Sequence, residues 1–365
     1  MAPTHSTPPP APAGTDPDHA ALADHIRAWS RELGFQQVGI ADIALDEDEE
    51  HLLEWLAQGR HGEMGYMQRH GTQRSRPAEL LPGTLRVISV RMDYWPPASH
   101  PAESVLTDQT KAYLSRYALG RDYHKVLRKR LQRLAERIES VAGPHIYRAF
   151  TDSAPVLEKA LARNAGLGWI GKHTNLINNR AGSWFFLGEL YTSLPLPADK
   201  PGDDHCGTCQ ACIDACPTGA IVAPYQLDAR LCISYLTIEL RDAIPEHLRP
   251  LIGNRIYGCD DCQLVCPWNR FARPSGEADF TVRHQLDAST LIDLFSWSET
   301  DFEQRLQGNP IYRIGHACWL RNIAVALGNA PTTPAVVTAL QARRNDPSDL
   351  VREHVAWALS RHAAS

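Results

Sequence analysis

Cysteine residues are the side chains in this sequence with the clearest capacity for chemistry. Eight of the nine cysteines lie between Cys206 and Cys266. They form one run with the spacing C-x2-C-x2-C-x3-C-P, a single cysteine, and a second run with the spacing C-x2-C-x3-C-P. The first spacing is that of bacterial ferredoxins, in which three thiolates of a run bind one [4Fe-4S] cluster and the fourth binds the other cluster. The sequence therefore predicts two [4Fe-4S] clusters.

The ferredoxin pattern also divides the eight cysteines into two ligand sets. Pro217 and Pro267 follow the last cysteine of each run and stop a helix from continuing there, so we expect that cysteine to turn toward the other cluster. The second run lacks a third close cysteine, and Cys232 completes its set. The predicted sets are Cys206, Cys209, Cys212 and Cys266 for one cluster, and Cys216, Cys232, Cys259 and Cys262 for the other.

Other uses of these cysteines fit the spacing less well. Two zinc sites need only paired C-x2-C units and leave the x3-Cys-Pro endings unexplained. Disulfides are disfavoured because the sequence shows no secretory signal and the spacings are too regular for a secreted framework. Cys318 stands apart in an apolar helical stretch, where we expect a small buried side chain.

The composition is that of a globular protein. Of 365 residues, 43% are hydrophobic and 22% are charged, and no run of about eighteen apolar residues occurs, so we expect no membrane span. Asp and Glu number 42 against 37 Lys and Arg, a balance that gives no support to nucleic-acid binding but leaves room for a local basic face. Because such clusters need reduced thiolates, we expect a cytoplasmic protein.

Patterning along the chain predicts four regions. Residues 1–18 are rich in Pro, Ala and Thr and are expected to be a disordered tail. Residues 19–200 alternate between helical and strand patterns, which indicates an α+β domain, and residues 201–275 form the two-cluster, ferredoxin-like domain. The last region, residues 276–365, is predicted to be all α-helical.

The α+β domain contains one long amphipathic helix and several apolar strands. The helix is predicted over 122–140, and its lysine- and arginine-rich face is interpreted as solvated rather than as a polyanion contact. The other predicted elements are a helix over 22–33 and strands over 37–40, 85–90, 145–150, 175–178 and 184–190.

Near the end of the chain, one apolar helical segment is repeated. Residues 323–328 are echoed thirty-two positions later by residues 355–360, which suggests HEAT-like helical pairs. Arginines at nearby positions either line a phosphate-binding face or are ordinary surface charge, and composition does not separate the two. These arginines are Arg313, Arg321, Arg343, Arg344 and Arg352.

Several segments outside the cysteine runs resemble the epoxyqueuosine reductase family. They include Ser115 to His124, Thr151 to Pro155, Gly166 to Lys172, Gly182 to Glu189 and Gly253 to Gln263, and the likeness runs from about residue 20 to the end of the chain. The resemblance implies an enzyme that reduces epoxyqueuosine to queuosine at the wobble position of tRNA, with cobalamin as a second cofactor. It also implies a cobalamin-binding domain like that of reductive dehalogenases, and HEAT-like helices that hold the anticodon stem-loop.

Asp152 matches the family's proton donor in its Asp-Ser-Ala-Pro motif. To donate a proton at neutral pH, it must be kept protonated by burial or by a like-charged neighbour. The alternative from the residues alone is structural, because an aspartate shortly before a proline-started helix is usually a helix cap.

The resemblance also implies cobalamin contacts at several positions. These are Tyr117, Asp152, Lys172, Asn175, Leu176, Ser183, Leu187, Ser234 and Asp260. The sequence lacks the Asp-x-His-x-x-Gly motif that supplies an axial histidine in some cobalamin proteins, so we expect cobalt without a histidine ligand. His124, His173 and His316 are then expected to be structural or RNA-facing. The electron donor is not identifiable from the sequence, and we expect a monomer.

Two other functions use a similar cluster pair. A reductive dehalogenase acting on a small molecule would also combine cobalamin with two clusters, but it has little use for arginine-bearing helical repeats. A ferredoxin-like electron-transfer protein needs only about sixty residues, which leaves most of this chain unexplained.

Overall fold

The computed structural model describes residues 18–97 and 99–363. The predicted disordered tail lies outside these residues except for Asp18, whose carboxylate caps the first helix by accepting hydrogen bonds from the amides of Ala20 and Ala21. In the described part of the chain, no helix is both long and apolar enough to cross a bilayer. Helices and strands are mixed through the first half of the chain, so the α+β prediction is confirmed. The likeness to reductive dehalogenases stays a prediction.

The described helices and strands are numbered here in chain order. The helices are α1 (His19–Glu32), α2 (Asp46–Ala57), α3 (Tyr66–Arg69), α4 (Pro77–Leu80), α5 (Ala102–Thr107), α6 (Tyr123–Ala142), α7 (Glu158–Asn164), α8 (Ala211–Asp214), α9 (Arg249–Ile252), α10 (Asp261–Leu264), α11 (Leu291–Phe295), α12 (Glu299–Leu306), α13 (Gly315–Asn329), α14 (Pro334–Ala342) and α15 (Asp349–Ala363). The strands are β1 (Gln37–Ala41), β2 (Arg86–Asp93), β3 (Tyr113–Leu114), β4 (Tyr147–Phe150), β5 (Trp169–Ile170), β6 (Leu176–Ile177), β7 (Phe185–Thr192), β8 (Ile221–Ala223), β9 (Gln226–Leu227) and β10 (Arg255–Tyr257).

A four-stranded antiparallel sheet organises the first region. Its strand order is β1-β2-β7-β4. Helices α1 and α6 pack on one face, where Ile26, Leu127 and Leu131 are buried, and α7 packs on the other. Helix α6 approaches closely at Gly188, because a Cβ added there would lie 2.9 Å from Cδ1 of Leu131. Alternation along β7 therefore turns Glu189, like Tyr191, toward α7.

The three regions share one hydrophobic core. Strand β3 of the first region pairs in parallel with β10 of the cysteine-rich region. The largest set of buried apolar side chains includes Leu119, Leu236, Ile256 and Trp319, which come from all three predicted domains. The predicted boundaries at 200 and 275 stay predictions, and packing across them holds the cysteine-rich segment between the sheet and the C-terminal helices.

The C-terminal region is helical, as predicted, and α13 packs along α15. Its arginines have structural partners that the sequence did not indicate. Arg321 is fully buried, and its guanidinium donates hydrogen bonds to the carbonyls of Leu236, Leu240 and Asp242. Arg321 therefore cannot belong to an exposed phosphate-binding face, because its guanidinium is hydrogen-bonded to these three carbonyl groups in the protein interior. The HEAT-like character of these helices stays a prediction.

We expect Arg321→Ala to destabilise the protein by about 2–4 kcal/mol, because three buried carbonyl groups would lose their donor at about 1–3 kcal/mol each before relaxation. Urea unfolding followed by circular dichroism would measure this loss. Arg344→Ala is the matched control, since Arg344 is exposed on the same region. Equal stability of the two variants would contradict the structural role of Arg321.

Candidate active site and cluster sites

The first predicted cysteine set surrounds a cavity of about 240 Å³. Its lining includes Cys206, Cys209, Cys212 and Cys266, together with Lys172. Among the described residues, no three cysteine, histidine or carboxylate groups converge closely enough to hold one metal ion. Four thiols around a cavity of this size fit a bulky inorganic cluster such as a [4Fe-4S] cubane.

The second predicted set lies next to the first. Burial raises the pKa of the Cys262 thiol, and so do the neighbouring Cys232, Asp260, Cys212 and Cys216. Cys259 is also half-buried, and its Sγ lies 2.8 Å from a carboxylate oxygen of Asp261. Cys262 is thus within electrostatic reach of Cys212, a member of the other set. The chain places two cysteine groups side by side, as an electron relay requires.

A second and much larger cavity, of about 1200 Å³, lies beside the sheet. Small-ligand pockets are usually about 300–1,000 Å³, so this one has room for a cofactor as large as a corrin. A π-helical turn over Tyr235–Glu239 contributes Glu239 to the wall, and such turns are frequent at functional sites. Six of the cavity's titratable lining residues are linked by mutual contacts and are called here the titratable side: Tyr117, Tyr123, His124, Asp152, Glu158 and Arg313.

Asp152 occupies a strained loop between β4 and α7. Its φ is +53°, in the left-handed region that non-glycine residues seldom adopt. Its carboxylate accepts a hydrogen bond from the Tyr123 hydroxyl, and Oδ2 lies 3.2 Å from Nε2 of His124. Helix α7 begins after Leu157, and its N-terminus receives no side-chain cap. The helix-cap alternative for Asp152 is therefore wrong.

His124 lies between two carboxylates. Its Nδ1 is 2.8 Å from Asp122 Oδ1, and its Nε2 faces Asp152. Burial lowers the pKa of His124, but the hydrogen bonds to Asp122 and Asp152 more than reverse this, so the pKa is raised. Arg313 binds the other oxygen of Asp122 at 2.7 Å. This arrangement favours a doubly protonated imidazole.

The surroundings of Asp152 differ from the burial that the sequence led us to expect. Its side chain is 55% exposed toward the cavity rather than enclosed. Desolvation raises the pKa of Asp152, but hydrogen bonds from His124 and Tyr123 and the His124 charge outweigh it, so the pKa is lowered. The lowered pKa favours the carboxylate form of Asp152, and the raised pKa of His124 favours a proton on the imidazole.

The other residues predicted to contact cobalamin fall into different surroundings. Tyr117 lines the large cavity, and its hydroxyl donates to the Tyr257 hydroxyl at 3.3 Å. Lys172 lies instead at the smaller cavity, where Nζ donates to the carbonyls of Gly207 at 2.6 Å and Cys209 at 2.9 Å. Ser234 directly precedes the π-helical turn. Only some of the predicted contacts therefore share one wall.

The remaining predicted contacts have partners elsewhere in the chain. The Asp260 carboxylate accepts hydrogen bonds from Tyr113, Ser115 and the Arg116 amide, which uses both of its oxygens. Ser183 donates its amide to Asn269 at 2.6 Å. Three others lie in or next to the strands behind the cavity: Asn175, Leu176 and Leu187. Their roles as cobalamin contacts stay predictions.

Several members of the titratable side were not predicted from the sequence. His124 was expected to be structural or RNA-facing, whereas it binds Asp152. His173 does lie near the cysteines, and His316 binds the carbonyl of Trp297, as structural histidines do. Tyr123 and Glu158 were not singled out. The available signal was that Asp122, Tyr123 and His124 end the Ser115 to His124 segment, which resembles the epoxyqueuosine reductase family.

Two family models match this chain. Residues 205–269 match a 4Fe-4S double cluster binding domain, and residues 74–153 match the domain described as epoxyqueuosine reductase QueG, DUF1730. An epoxyqueuosine reductase of Pseudomonas aeruginosa is 64% identical over 347 residues, covering 95% of this chain and 96% of the relative. The chain belongs to the epoxyqueuosine reductase family. The first family match also identifies the cysteine-rich segment as the site of two [4Fe-4S] clusters.

Further epoxyqueuosine reductases show the same similarity. The relative from Escherichia coli is 58% identical, covering 93% of this chain and 89% of the relative. A solved epoxyqueuosine reductase in complex with an epoxyqueuosine-modified tRNA-Tyr stem-loop superposes with a TM-score of 0.86 at 27% identity, covering 94% of this chain and 90% of that one. The Bacillus subtilis epoxyqueuosine reductase has been solved with its catalytic aspartate loop swung out of the active site, and its TM-score is 0.84 at 26% identity, covering 94% of this chain and 90% of that one.

Proposed function

We propose that this protein reduces epoxyqueuosine to queuosine at the wobble position of tRNA. The observation that carries the proposal is the contact of Asp152 with His124 at the wall of a 1200 Å³ cavity, in a chain that also brings eight cysteines into two adjacent groups. An acid–base pair, a large cofactor cavity and an electron relay are the three parts that this reduction needs.

Cobalamin is the second cofactor in this proposal. The volume of the large cavity and the aromatic and polar side chains of its wall fit a corrin with amide side chains. When bound, cobalamin would supply the low-potential electrons that open the epoxide. Tyr117 and Asp152 are the predicted contacts that line this cavity.

Side chains of the protein donate protons to the epoxide oxygen. Reducing an epoxide to an alkene consumes two electrons and two protons and releases one water molecule. Negative charge grows on the oxygen as the ring opens, so an acid must stand beside it. Asp152 reaches into the cavity, and His124 behind it holds a proton that can recharge the carboxylate at 3.2 Å. We therefore assign the donor role to the Asp152–His124 pair rather than to Asp152 alone.

The two cysteine groups would hold the clusters that supply electrons to this cavity. Cys209 is exposed, whereas Cys212 of the same set lies near Cys262 of the second set. With two clusters and cobalamin bound, this order would let the first set take electrons from an external donor and the second set pass them toward the large cavity. The C-terminal helices, interpreted as HEAT-like repeats, would hold the anticodon stem-loop, and the enzyme would act as a cytoplasmic monomer.

The loop that carries Asp152 is also suited to move during the reaction. A left-handed φ at a non-glycine residue is retained only where neighbouring contacts fix it, and here those contacts are with Tyr123, His124 and Glu158. The Bacillus subtilis relative has been seen with its aspartate loop displaced. By analogy, Asp152 would leave its partners to admit the substrate and return to protonate it.

One anaerobic reaction tests the proposal. Cluster-reconstituted protein is incubated with cobalamin, a chemical reductant and epoxyqueuosine-containing tRNA, and the digested nucleosides are analysed by mass spectrometry. The expected product has lost one oxygen, and omission of cobalamin or of the reductant abolishes it. Unchanged tRNA in the presence of bound clusters and cobalamin would refute the tRNA activity and direct the search to small halogenated or epoxidised substrates.

A further inference from the structure

Glu189 is a fully buried acidic side chain at the centre of the sheet. It lies on β7 opposite Ser89 of β2 and Phe150 of β4, and its exposed fraction is 0%. Both carboxyl oxygens lack a hydrogen-bond partner among the described residues, as do the nearby hydroxyls of Ser89 and Tyr191. An unpaired carboxylate in such surroundings is costly, whereas a protonated carboxyl is tolerated.

Glu158 connects this buried residue to the active site. It is the first residue of α7, the helix that packs on the Glu189 face of the sheet. It lines the large cavity, and its Oε1 accepts a hydrogen bond from the Asp152 amide. Glu158 is close enough to Glu189 for its charge to raise the pKa of the Glu189 carboxyl. We call these two residues the acid pair.

Several charged groups surround the acid pair. Asp152 approaches from the loop, His124 from α6, and Arg74 from the segment before α4; Lys159 is the next residue on α7. Burial and then the Asp152 charge raise the pKa of Glu158 to about 8, and burial and then Glu158 raise the pKa of Glu189 well above its usual range. Two neighbouring carboxyls in a buried site cannot both ionise readily, so the pair retains protons at neutral pH.

The proposed reaction consumes two protons, and the acid pair could supply one of them. Both protons that convert an epoxide oxygen into water end on the same oxygen atom: the first makes a hydroxyl as one C–O bond breaks, and the second makes water as the other C–O bond breaks. The two electrons come from the cluster relay. The Asp152–His124 pair holds one transferable proton, so a second donor at the same side of the cavity would supply the other without reprotonation from solvent.

We propose that the acid pair is this second donor, with Glu158 at the cavity wall delivering the proton and Glu189 behind it holding the reserve. The inference rests on the proposed function for its substrate. The geometry that supports it is independent of the substrate: Glu158 accepts a hydrogen bond from the Asp152 amide, and Glu189 pairs with Phe150, two residues before Asp152, on the sheet face that α7 covers. His124 therefore contacts the Asp152 carboxylate, and Glu158 contacts the Asp152 backbone amide.

Infrared spectroscopy tests the protonation of the pair without turnover. Holoprotein labelled with ¹³C-glutamate is titrated, and the carbonyl stretch of protonated carboxyls is compared in wild type, Glu158→Gln, Glu189→Gln and the exposed control Glu103→Gln. We expect a wild-type band that titrates near pH 8 and disappears in Glu158→Gln, and a second band that disappears in Glu189→Gln. Identical bands in wild type and both pair variants would overturn the acid pair.

Single-turnover kinetics then test its role as donor. Glutamine at position 158 can still accept the hydrogen bond from the Asp152 amide, but it cannot donate a proton to the substrate as an acid. We therefore expect the single-turnover rate at pH 7 to fall at least about tenfold, with tRNA binding unchanged. The wild-type rate should decline above pH 8, and Glu158→Gln should lose that decline. A wild-type pH profile in Glu158→Gln would overturn the donor role. Absence of any reaction in wild type would refute the proposed function, while the infrared result would still decide the protonation.

Discussion

Asp152→Asn should slow epoxide reduction by about 10²–10⁴-fold, the usual contribution of a positioned acid, while both clusters and cobalamin stay bound. Asparagine has nearly the same shape and tolerates the left-handed φ of +53°, so the loop should keep its conformation. It can still accept the Tyr123 hydrogen bond but cannot pass a proton from His124 to the substrate. The loss should therefore appear in the single-turnover rate rather than in tRNA affinity.

The control for this variant is Asp24→Asn. The Asp24 side chain is 81% exposed on α1, so its replacement should leave the rate unchanged. Cobalamin absorbance and iron content, measured on the same samples, separate a lost proton donor from a lost cofactor. Full activity of Asp152→Asn would refute the donor assignment, and loss of cobalamin would show that Asp152 acts chiefly as a cofactor contact.

Cys209→Ala should remove one [4Fe-4S] cluster, halve the iron content and abolish turnover. Cys209 lines the smaller cavity with three other cysteines, and a cubane lacking one of four thiolates is held poorly. Because Cys209 is exposed, its replacement should disturb the packing of the protein little. Iron and sulfide analysis with electron paramagnetic resonance of the reduced protein would count the remaining clusters.

Cys318→Ala is the matched control for the cluster ligands. Cys318 is buried at 6% exposure in α13, among the apolar side chains of the largest core. Its replacement should leave iron content and turnover at wild-type values, since it packs as a small hydrophobic residue. Full iron content in Cys209→Ala, or loss of iron in Cys318→Ala, would contradict the ligand assignment.

The cysteine groups show which features can be predicted from a short stretch of sequence. Thiol spacing within a run is set by a few residues of backbone, so the two-cluster interpretation needed no tertiary information. Periodicity placed α6 and the four main strands for the same reason, because burial of one face repeats every 3.6 or 2 residues. The Asp-Ser-Ala-Pro motif likewise pointed to Asp152. Each of these features is contained within a short stretch of chain.

The charge states and the use of the arginines depended on the tertiary structure. Whether Asp152 is ionised depends on His124, which is reached from another helix, and Arg321 is withdrawn from the surface by carbonyls about eighty residues away. In the sequence, Glu189 is simply one residue of a predicted strand. The packing of α7 on the sheet brings Glu158 close enough to affect its pKa. A pKa is set by desolvation and by neighbours in space, and a sequence records neither. The sequence therefore determined which groups can do chemistry, and only the fold decided which of them hold the protons.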